Sequence, residues 1–156
     1  MSIIFTGLSA GLFYAWQVSV IPGTRHTGDY NYLETMQSIN RAILNPAFFL
    51  IFFGALITPS IASIYEFHTS KLVFGLMVSA SITYLVGTFG VTALGNVPLN
   101  NELDVLELSQ LAPQKLSEFR KYYETNWNRL HLIRTVFAVL SFLLVALAIC
   151  IQVKKN

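Results

Sequence analysis

The sequence predicts an all-α protein that crosses the membrane four times as a four-helix transmembrane bundle. Hydrophobic residues make up 54% of the chain and charged residues only 12%, about half the charged share of a soluble domain. Side-chain charges are missing from residues 1–22, 42–65, 72–101 and 135–153. A helix needs about 20 apolar residues to cross the hydrocarbon core, whereas barrel strands alternate over about ten. These long uncharged runs therefore indicate helices.

The predicted spans are about residues 3–21, 47–66, 72–96 and 132–153, and the whole chain is expected to form one transmembrane domain. The first apolar run has no Lys or Arg before it. It is also longer than the 7–15 apolar residues typical of a secretory signal. We therefore expect it to remain as a span.

Residues 29–45 are predicted to form an amphipathic helix that lies in the membrane interface. An apolar stripe through Leu33, Met36, Ile39 (or Asn40) and Ile43 recurs at steps of three to four residues, and most of the other residues are polar. Such a helix is too polar to span a bilayer but can lie along its surface. Pro46 then suits the first turn of the second span.

Residues 97–131 are predicted to form an extramembrane loop with a helical stretch, because most of the acidic residues lie there. Pro98 should break the third span, since proline cannot donate the backbone hydrogen bond that a helix interior requires. Asn96 and Asn100 would then stand at the break. Asparagine side chains within a membrane span usually face protein or a cavity, not lipid.

The charges also indicate where the chain resides and what it contacts. Seven of the ten Lys and Arg residues lie on the side of the two long loops, which favours that side as the inside of a bacterial-type inner or plasma membrane. The net charge is only +2 and no basic run exceeds two residues. We therefore expect the lipid bilayer, and not a nucleic acid, as the main partner.

Polar residues connected to all four spans can meet at one mouth of the bundle. Trp127, His131 and Arg134 are spaced i, i+4, i+7 and share one helix face. The same side of the membrane also receives Arg25, His26, Gln37, Asn40, Arg41, Asn96 and Asn100.

Each of these residues also fits a purely structural role. Trp127 fits an aromatic anchor at the membrane surface, and both Arg41 and Arg134 fit arginines that snorkel towards water. His131 fits a hydrogen-bonded interfacial histidine, and Asn96 and Asn100 fit caps of a helix end. Their clustering, more than any single residue, favours a binding site.

Other chemistries find little support in the sequence. The His and Cys residues have no structural-metal spacing, and neither a phosphate loop nor a dinucleotide fingerprint is present. No cofactor is expected, with His26 and His131 as the only weak candidates for binding a metal or haem. Charged residues are missing from mid-membrane positions, which argues against an ion-coupled transporter.

Four groups of residues follow one another in order along the chain. They are Gly11 to Gly23, then Met36 to Asn40 with Asn45-Pro46, then Asn96 to Asn100, then Trp127 with Arg134-Thr135. In this order and spacing the chain resembles the DUF1772 family, also called the anthrone oxygenase family. The motif positions fall on Gln37, Asn40, Asn96, Asn100, Trp127 and Arg134.

The resemblance implies oxygenation of a polyketide anthrone to an anthraquinone without metal or flavin. Taken with the polar cluster, it gives His131, Arg134 and Asn96 as candidate catalytic residues. The candidate substrate-binding residues are Gln37, Asn40, Arg41, Asn100 and Trp127. Many family members read Trp-Asn-His where this chain reads Leu130-His131-Leu132. A base role for His131 therefore follows from imidazole chemistry and not from the resemblance.

The leading hypothesis is a membrane oxidoreductase that oxygenates a lipophilic aromatic or quinone-like molecule through a base-assisted carbanion. One alternative is a non-enzymatic membrane subunit that stabilises a partner complex, either a homo-oligomer or an assembly with another membrane protein. Another is a lipid- or quinone-binding protein without turnover. An enclosed polar pocket at the mouth would favour the first hypothesis.

Overall fold

The computed structural model describes residues 1–154, which form five main helices and one short 3₁₀ helix, Leu108–Gln110. The main helices are α1 (Ser2–Thr24), α2 (Asp29–Ala42), α3 (Pro46–Glu66), α4 (Lys71–Asp104) and α5 (Pro113–Val153). Within the described chain, α1, α3, α4 and α5 are long and apolar enough to cross a membrane. The predicted all-α fold with four membrane-crossing helices is confirmed.

The four long helices form a ring in which α1 and α4 each pack against both α3 and α5. Small residues face the inside, and Ala55, Ala80 and Ala138 are fully buried. Large residues such as Leu143 and Leu147 are half exposed on the outer face. This is the pattern expected in lipid, where small side chains let helices approach closely and large apolar ones meet the acyl chains.

Helix α5 is far longer than a membrane crossing. Its 41 residues span about 60 Å at 1.5 Å per residue, twice the thickness of the hydrocarbon core. The boundary predicted between residues 97–131 and the fourth span therefore falls inside one continuous helix. The first half of α5 extends beyond the bundle and packs against α2 through Tyr32, Leu33 and Tyr123, all buried. We call this end of the bundle the capped end.

The predicted break of the third span at Pro98 is wrong. Helix α4 continues to Asp104 because two π-helical segments, Tyr84–Gly90 and Thr92–Asn96, precede the proline. After a π turn the hydrogen-bond register changes, and Pro98 sits in the first turn of the next α segment, where no backbone N–H is needed. Helix α1 passes Pro22 in the same way, after the π turn Trp16–Val20.

Gly87 marks a close approach between α4 and α5. A Cβ atom at this position would lie 1.9 Å from Cγ of Phe137. We expect Gly87→Ala to destabilise the protein by about 3 kcal/mol or more, because a packed core resists added volume. Thermal unfolding in detergent would measure the loss. Gly11→Ala is the matched control, since nothing lies within 4 Å of its Cβ position. Equal stability of the two variants would contradict the packing argument.

Candidate active site

A cavity of about 180 Å³ lies at the capped end of the bundle and is lined by residues of all five helices. Its apolar wall is built mainly by Leu12, Phe13, Trp16, Ile39, Ile43, Leu44, Phe48 and Val97. The polar groups come from Asn40, Arg41, Thr92, Asn100, Asn101, Asp104, Trp127, His131 and Arg134. An apolar cavity with a few converging polar groups is the usual form of a small-molecule site.

Arg134 lies deep in this cavity and is only 8% exposed. Its guanidinium donates from Nε and Nη2 to Nδ1 of His131, at 3.1 and 2.9 Å, and from Nη1 to Oγ1 of Thr92 at 3.4 Å. It pairs with none of the carboxylates in residues 1–154. A guanidinium has five N–H groups, so two remain for a ligand in the cavity.

Aromatic rings take the place of a counter-ion for this cation. The guanidinium carbon lies 4.8 Å from the ring centre of Phe13 and 5.0 Å from that of Trp127. Attraction to ring faces contributes about 2 kcal/mol when the pair is shielded from water. A buried charge still costs more than this unless a full partner neutralises it. The site is therefore suited to a ligand oxygen that carries negative charge.

His131 is buried with both ring nitrogens engaged. Nδ1 faces the guanidinium of Arg134 and must be the acceptor, because arginine only donates. Nε2 lies 3.1 Å from the carbonyl oxygen of Phe13 and therefore carries the hydrogen. The ring also stacks on Trp127, with centroids 5.0 Å apart and planes 6° apart. His131 is thus a neutral imidazole whose only lone pair points at Arg134.

A chain of hydrogen bonds connects three elements on the other wall of the cavity. Nε1 of Trp127 donates to Oδ1 of Asn100 at 2.8 Å. The hydroxyl of Tyr123 donates to the same oxygen at 3.1 Å and accepts from Nδ2 of Asn40, also at 3.1 Å. We call these four residues the amide relay. It joins α2, α4 and α5 next to the cavity.

Two of the predicted site residues lie outside the cavity lining. Asn96 is fully buried and donates through Nδ2 to the carbonyl oxygen of Trp127 at 3.3 Å. Gln37 donates to the carbonyl oxygens of Leu103 and Leu106, at 2.7 and 3.1 Å. Asn96 thereby fixes α4 against α5, and Gln37 fixes α2 against the end of α4. Their contacts support the walls of the cavity.

The rim of the cavity carries an ion pair between Arg41 and Asp104. Nε of Arg41 lies 2.6 Å from Oδ1 of Asp104, and the two side chains are 62% and 49% exposed. Solvent weakens such a pair to about 0–1 kcal/mol. Asp104 is nevertheless the carboxylate that shares the cavity with His131.

The two histidines considered for metal binding are not brought into one site. His26 is exposed in the turn after α1 and lies outside the cavity that His131 lines. Residues 1–154 contain no group of three or more His, Cys, Asp or Glu side chains arranged to hold a metal ion.

Beyond the cavity, a more open depression lies beside the turn after α1. Arg120 fills part of it, pairing with Asp29 and Glu124, each at 3.0 Å, and donating to carbonyl oxygens of residues 24, 25 and 27. Arg120 thus caps the end of α1 and fastens it to α5. Its donors already face protein acceptors, so we assign it a structural role.

Sequence reasoning missed four polar contributors to the site, which are Thr92, Asn101, Asp104 and Tyr123. Tyr123 precedes Trp127 by one helical turn and so continues the face of α5 that was recognised. Thr92 precedes Asn96 by the same step on α4. Asp104 had no such signal, because the predicted helix break at Pro98 placed it in a loop.

The family described as anthrone oxygenase matches residues 46–144, which is 99 of the 156 residues and includes Asn96, Asn100, Trp127, His131 and Arg134. The resembling motifs at residues 11–23 and 36–40 lie outside the matched range. No curated protein and no solved structure matches the chain. Since the match covers more than half of the sequence, this membrane protein belongs to the anthrone oxygenase family.

Proposed function

We propose that this protein is a membrane oxygenase that converts a lipophilic aromatic carbon acid, such as an anthrone, into the corresponding ketone. The observation that supports this most directly is Arg134. It is a buried cation that lacks a carboxylate partner in residues 1–154, and it faces an apolar cavity. An enolate oxygen would supply the missing negative charge, and the apolar walls would hold the rings of the substrate.

The chemistry requires little from the protein beyond acid–base and electrostatic groups. Removal of one methylene proton gives an enolate, which passes an electron to dioxygen. The resulting radical pair combines to form the C–O bond of a peroxide. Loss of the second hydrogen with cleavage of the O–O bond leaves the ketone and releases water. The balance is CH₂ + O₂ → C=O + H₂O, with oxygen as the only oxidant.

We assign the base role to His131 and the electrostatic role to Arg134. At rest, Arg134 occupies the lone pair of Nδ1. When the guanidinium turns to the substrate oxygen, Nδ1 is released at the moment when a proton must be accepted. The same movement stabilises the enolate and frees the base, which couples the two steps.

The surroundings of the cavity fit a substrate that arrives through the membrane. Leu12, Leu44 and Val97 line the cavity and are 36%, 64% and 40% exposed. In a lipid environment such surfaces admit an apolar molecule without passage through water. We place the protein in a bacterial-type inner or plasma membrane, with the capped end on the side that carries most Lys and Arg.

The test is oxygen uptake by the purified protein in mild detergent, with anthrone as the substrate. We expect uptake above the spontaneous rate, one dioxygen consumed per anthraquinone formed, and no loss of activity with a metal chelator. Binding of anthrone without uptake would contradict catalysis and favour a quinone- or lipid-binding protein. Absence of both binding and uptake would favour the non-enzymatic subunit.

A further inference from the structure

We propose that Asn40 and Asn100 form a second polar subsite that takes a hydroxyl group of the substrate, and that Tyr123 is the positioning residue that orients it. This inference rests on the proposed function, because it concerns the same cavity. It adds a recognition element to the binding of a substrate oxygen proposed for Arg134.

The indole of Trp127 fixes the orientation of Asn100. An indole N–H can only donate, so the atom that faces it at 2.8 Å must be the amide oxygen of Asn100. The hydroxyl of Tyr123 lies 3.1 Å from the same oxygen and must use its hydrogen there. The amide NH₂ of Asn100 then has no partner within the amide relay. It makes no hydrogen bond within residues 1–154, and it is not sealed inside the protein.

The orientation of Asn40 follows from that of Tyr123. The tyrosine hydroxyl donates its only hydrogen to Asn100. Its oxygen must therefore accept the hydrogen bond from Asn40, whose NH₂ group lies 3.1 Å away. The amide oxygen of Asn40 is therefore the free group. This oxygen too is accessible, and Asn40 lines the cavity.

The cavity thus offers one free amide donor, from Asn100, and one free amide acceptor, from Asn40. A hydroxyl group is the small substituent that accepts one hydrogen bond and donates another. A carbonyl would satisfy only Asn100, and an ammonium only Asn40. The relay therefore predicts that the ring system of the substrate carries a free hydroxyl besides the oxygen bound by Arg134.

Tyr123 controls this selectivity without touching the ligand. It is fully buried and does not line the cavity. Without its hydroxyl, Asn40 has no fixed orientation and can turn its NH₂ towards the ligand, where a hydroxyl would then find two donors. Asn100 keeps its bond to Trp127. We therefore expect Tyr123→Phe to weaken recognition of the hydroxyl while leaving binding of the ring system unchanged.

The test uses equilibrium binding, which does not depend on turnover. The ligands are anthraquinone, 2-hydroxyanthraquinone and 2-methoxyanthraquinone, since a 2-hydroxyl is too far from the ring carbonyl for an internal hydrogen bond. Both tryptophans of the chain, Trp16 and Trp127, line the cavity, so quenching of their fluorescence reports occupancy. Partition of a ligand into the detergent cancels when its dissociation constants for two variants of the protein are compared. For comparisons between ligands, the partition of each ligand is measured in protein-free micelles and the dissociation constants are corrected for it.

We expect the natural protein to prefer the 2-hydroxy ligand to anthraquinone by about tenfold, as two neutral hydrogen bonds would give. The methoxy ligand cannot donate and should lose this preference. Tyr123→Phe should reduce the preference to about twofold or less. Tyr32→Phe is the matched control, because this buried tyrosine packs on Tyr123 but takes no part in the relay.

Three results would overturn the subsite while leaving the proposed function intact. They are equal binding of the methoxy and hydroxy ligands, an unchanged preference in Tyr123→Phe, and equal weakening of all three ligands in that variant. The methoxy comparison needs only the natural protein, so it holds even if the variant fails to fold. If anthraquinone itself does not bind, the ligand class of the proposed function is wrong, and the proposed subsite is wrong as well.

Discussion

Replacement of Arg134 by methionine is expected to lower the turnover of anthrone by about 10²–10³-fold while the protein stays folded. The reason is that this guanidinium is the only cationic group deep in the cavity among the described residues, with two N–H groups free for the substrate oxygen. An enolate that forms in an apolar cavity without a donor would be far less stable than one that accepts charged hydrogen bonds. Oxygen uptake at saturating substrate measures the loss.

The same replacement of Arg134 should change the stability of the protein much less than its activity. Removal of Arg134 relieves the cost of burying an unpaired cation but leaves Nδ1 of His131 without a donor, at a cost of about 1–3 kcal/mol. These effects oppose each other, so the thermal midpoint should change little. A structural role alone predicts the reverse, in which unfolding and loss of activity go together. That outcome would contradict the role assigned to Arg134 in substrate binding and catalysis.

Arg134→Lys provides the matched comparison. Lysine keeps the positive charge but has neither the planar fork nor the Nε–H group, so it cannot donate to His131 and to a ligand in the same way. We expect it to recover part of the lost activity and no more. Full activity with lysine would mean that charge alone acts here, and that the geometry around Thr92 and His131 is irrelevant.

The sequence contained enough information to predict the fold, because the physics of a membrane restricts the choices. Uncharged runs of about twenty residues leave helices as the solution in lipid. The face shared by Trp127, His131 and Arg134 also follows from helical spacing alone, and all three side chains line the cavity. Local periodicity therefore predicted which side chains a single helix presents on one face.

The features that escaped prediction depend on contacts between helices. Pro98 was expected to end a helix, but π-helical turns upstream let α4 continue, and no sequence rule places such turns. Asn96 and Gln37 were assigned to the site, yet neither lines the cavity, and both donate to backbone carbonyls. Tyr123 acquires its role only because Asn40 and Asn100 arrive from two other helices.

The fold also explains how one end of a bundle can hold polar chemistry inside a membrane protein. Helix α2 and the extended half of α5 form a second hydrophobic core beyond the bundle. This cap lets amides, an imidazole and a guanidinium lie within protein and not against lipid, where unsatisfied polar groups are costly. The cavity lies between this cap and the apolar bundle, so its polar groups are surrounded by protein.

Replacement of His131 by glutamine should lower turnover by about 10²–10⁴-fold, the usual contribution of a general base, while ligand binding stays within a few-fold. Glutamine still offers an N–H to the carbonyl oxygen of Phe13, but it is not basic enough to accept a carbon-bound proton. The rival base is Asp104, the carboxylate at the rim of the cavity. Asp104→Asn is therefore the control, and we expect it to change turnover only a few-fold.

Isotope substitution distinguishes the loss of a base from general damage to the site. If His131 removes the methylene proton, its loss should make that step limiting, and anthrone deuterated at the methylene should react more slowly than ordinary anthrone in His131→Gln. An isotope effect no larger than in the natural protein, together with a collapse of activity in Asp104→Asn, would transfer the base role to Asp104. The electrostatic role of Arg134 would stand in either case, because the enolate needs a hydrogen-bond donor whichever group removes the proton.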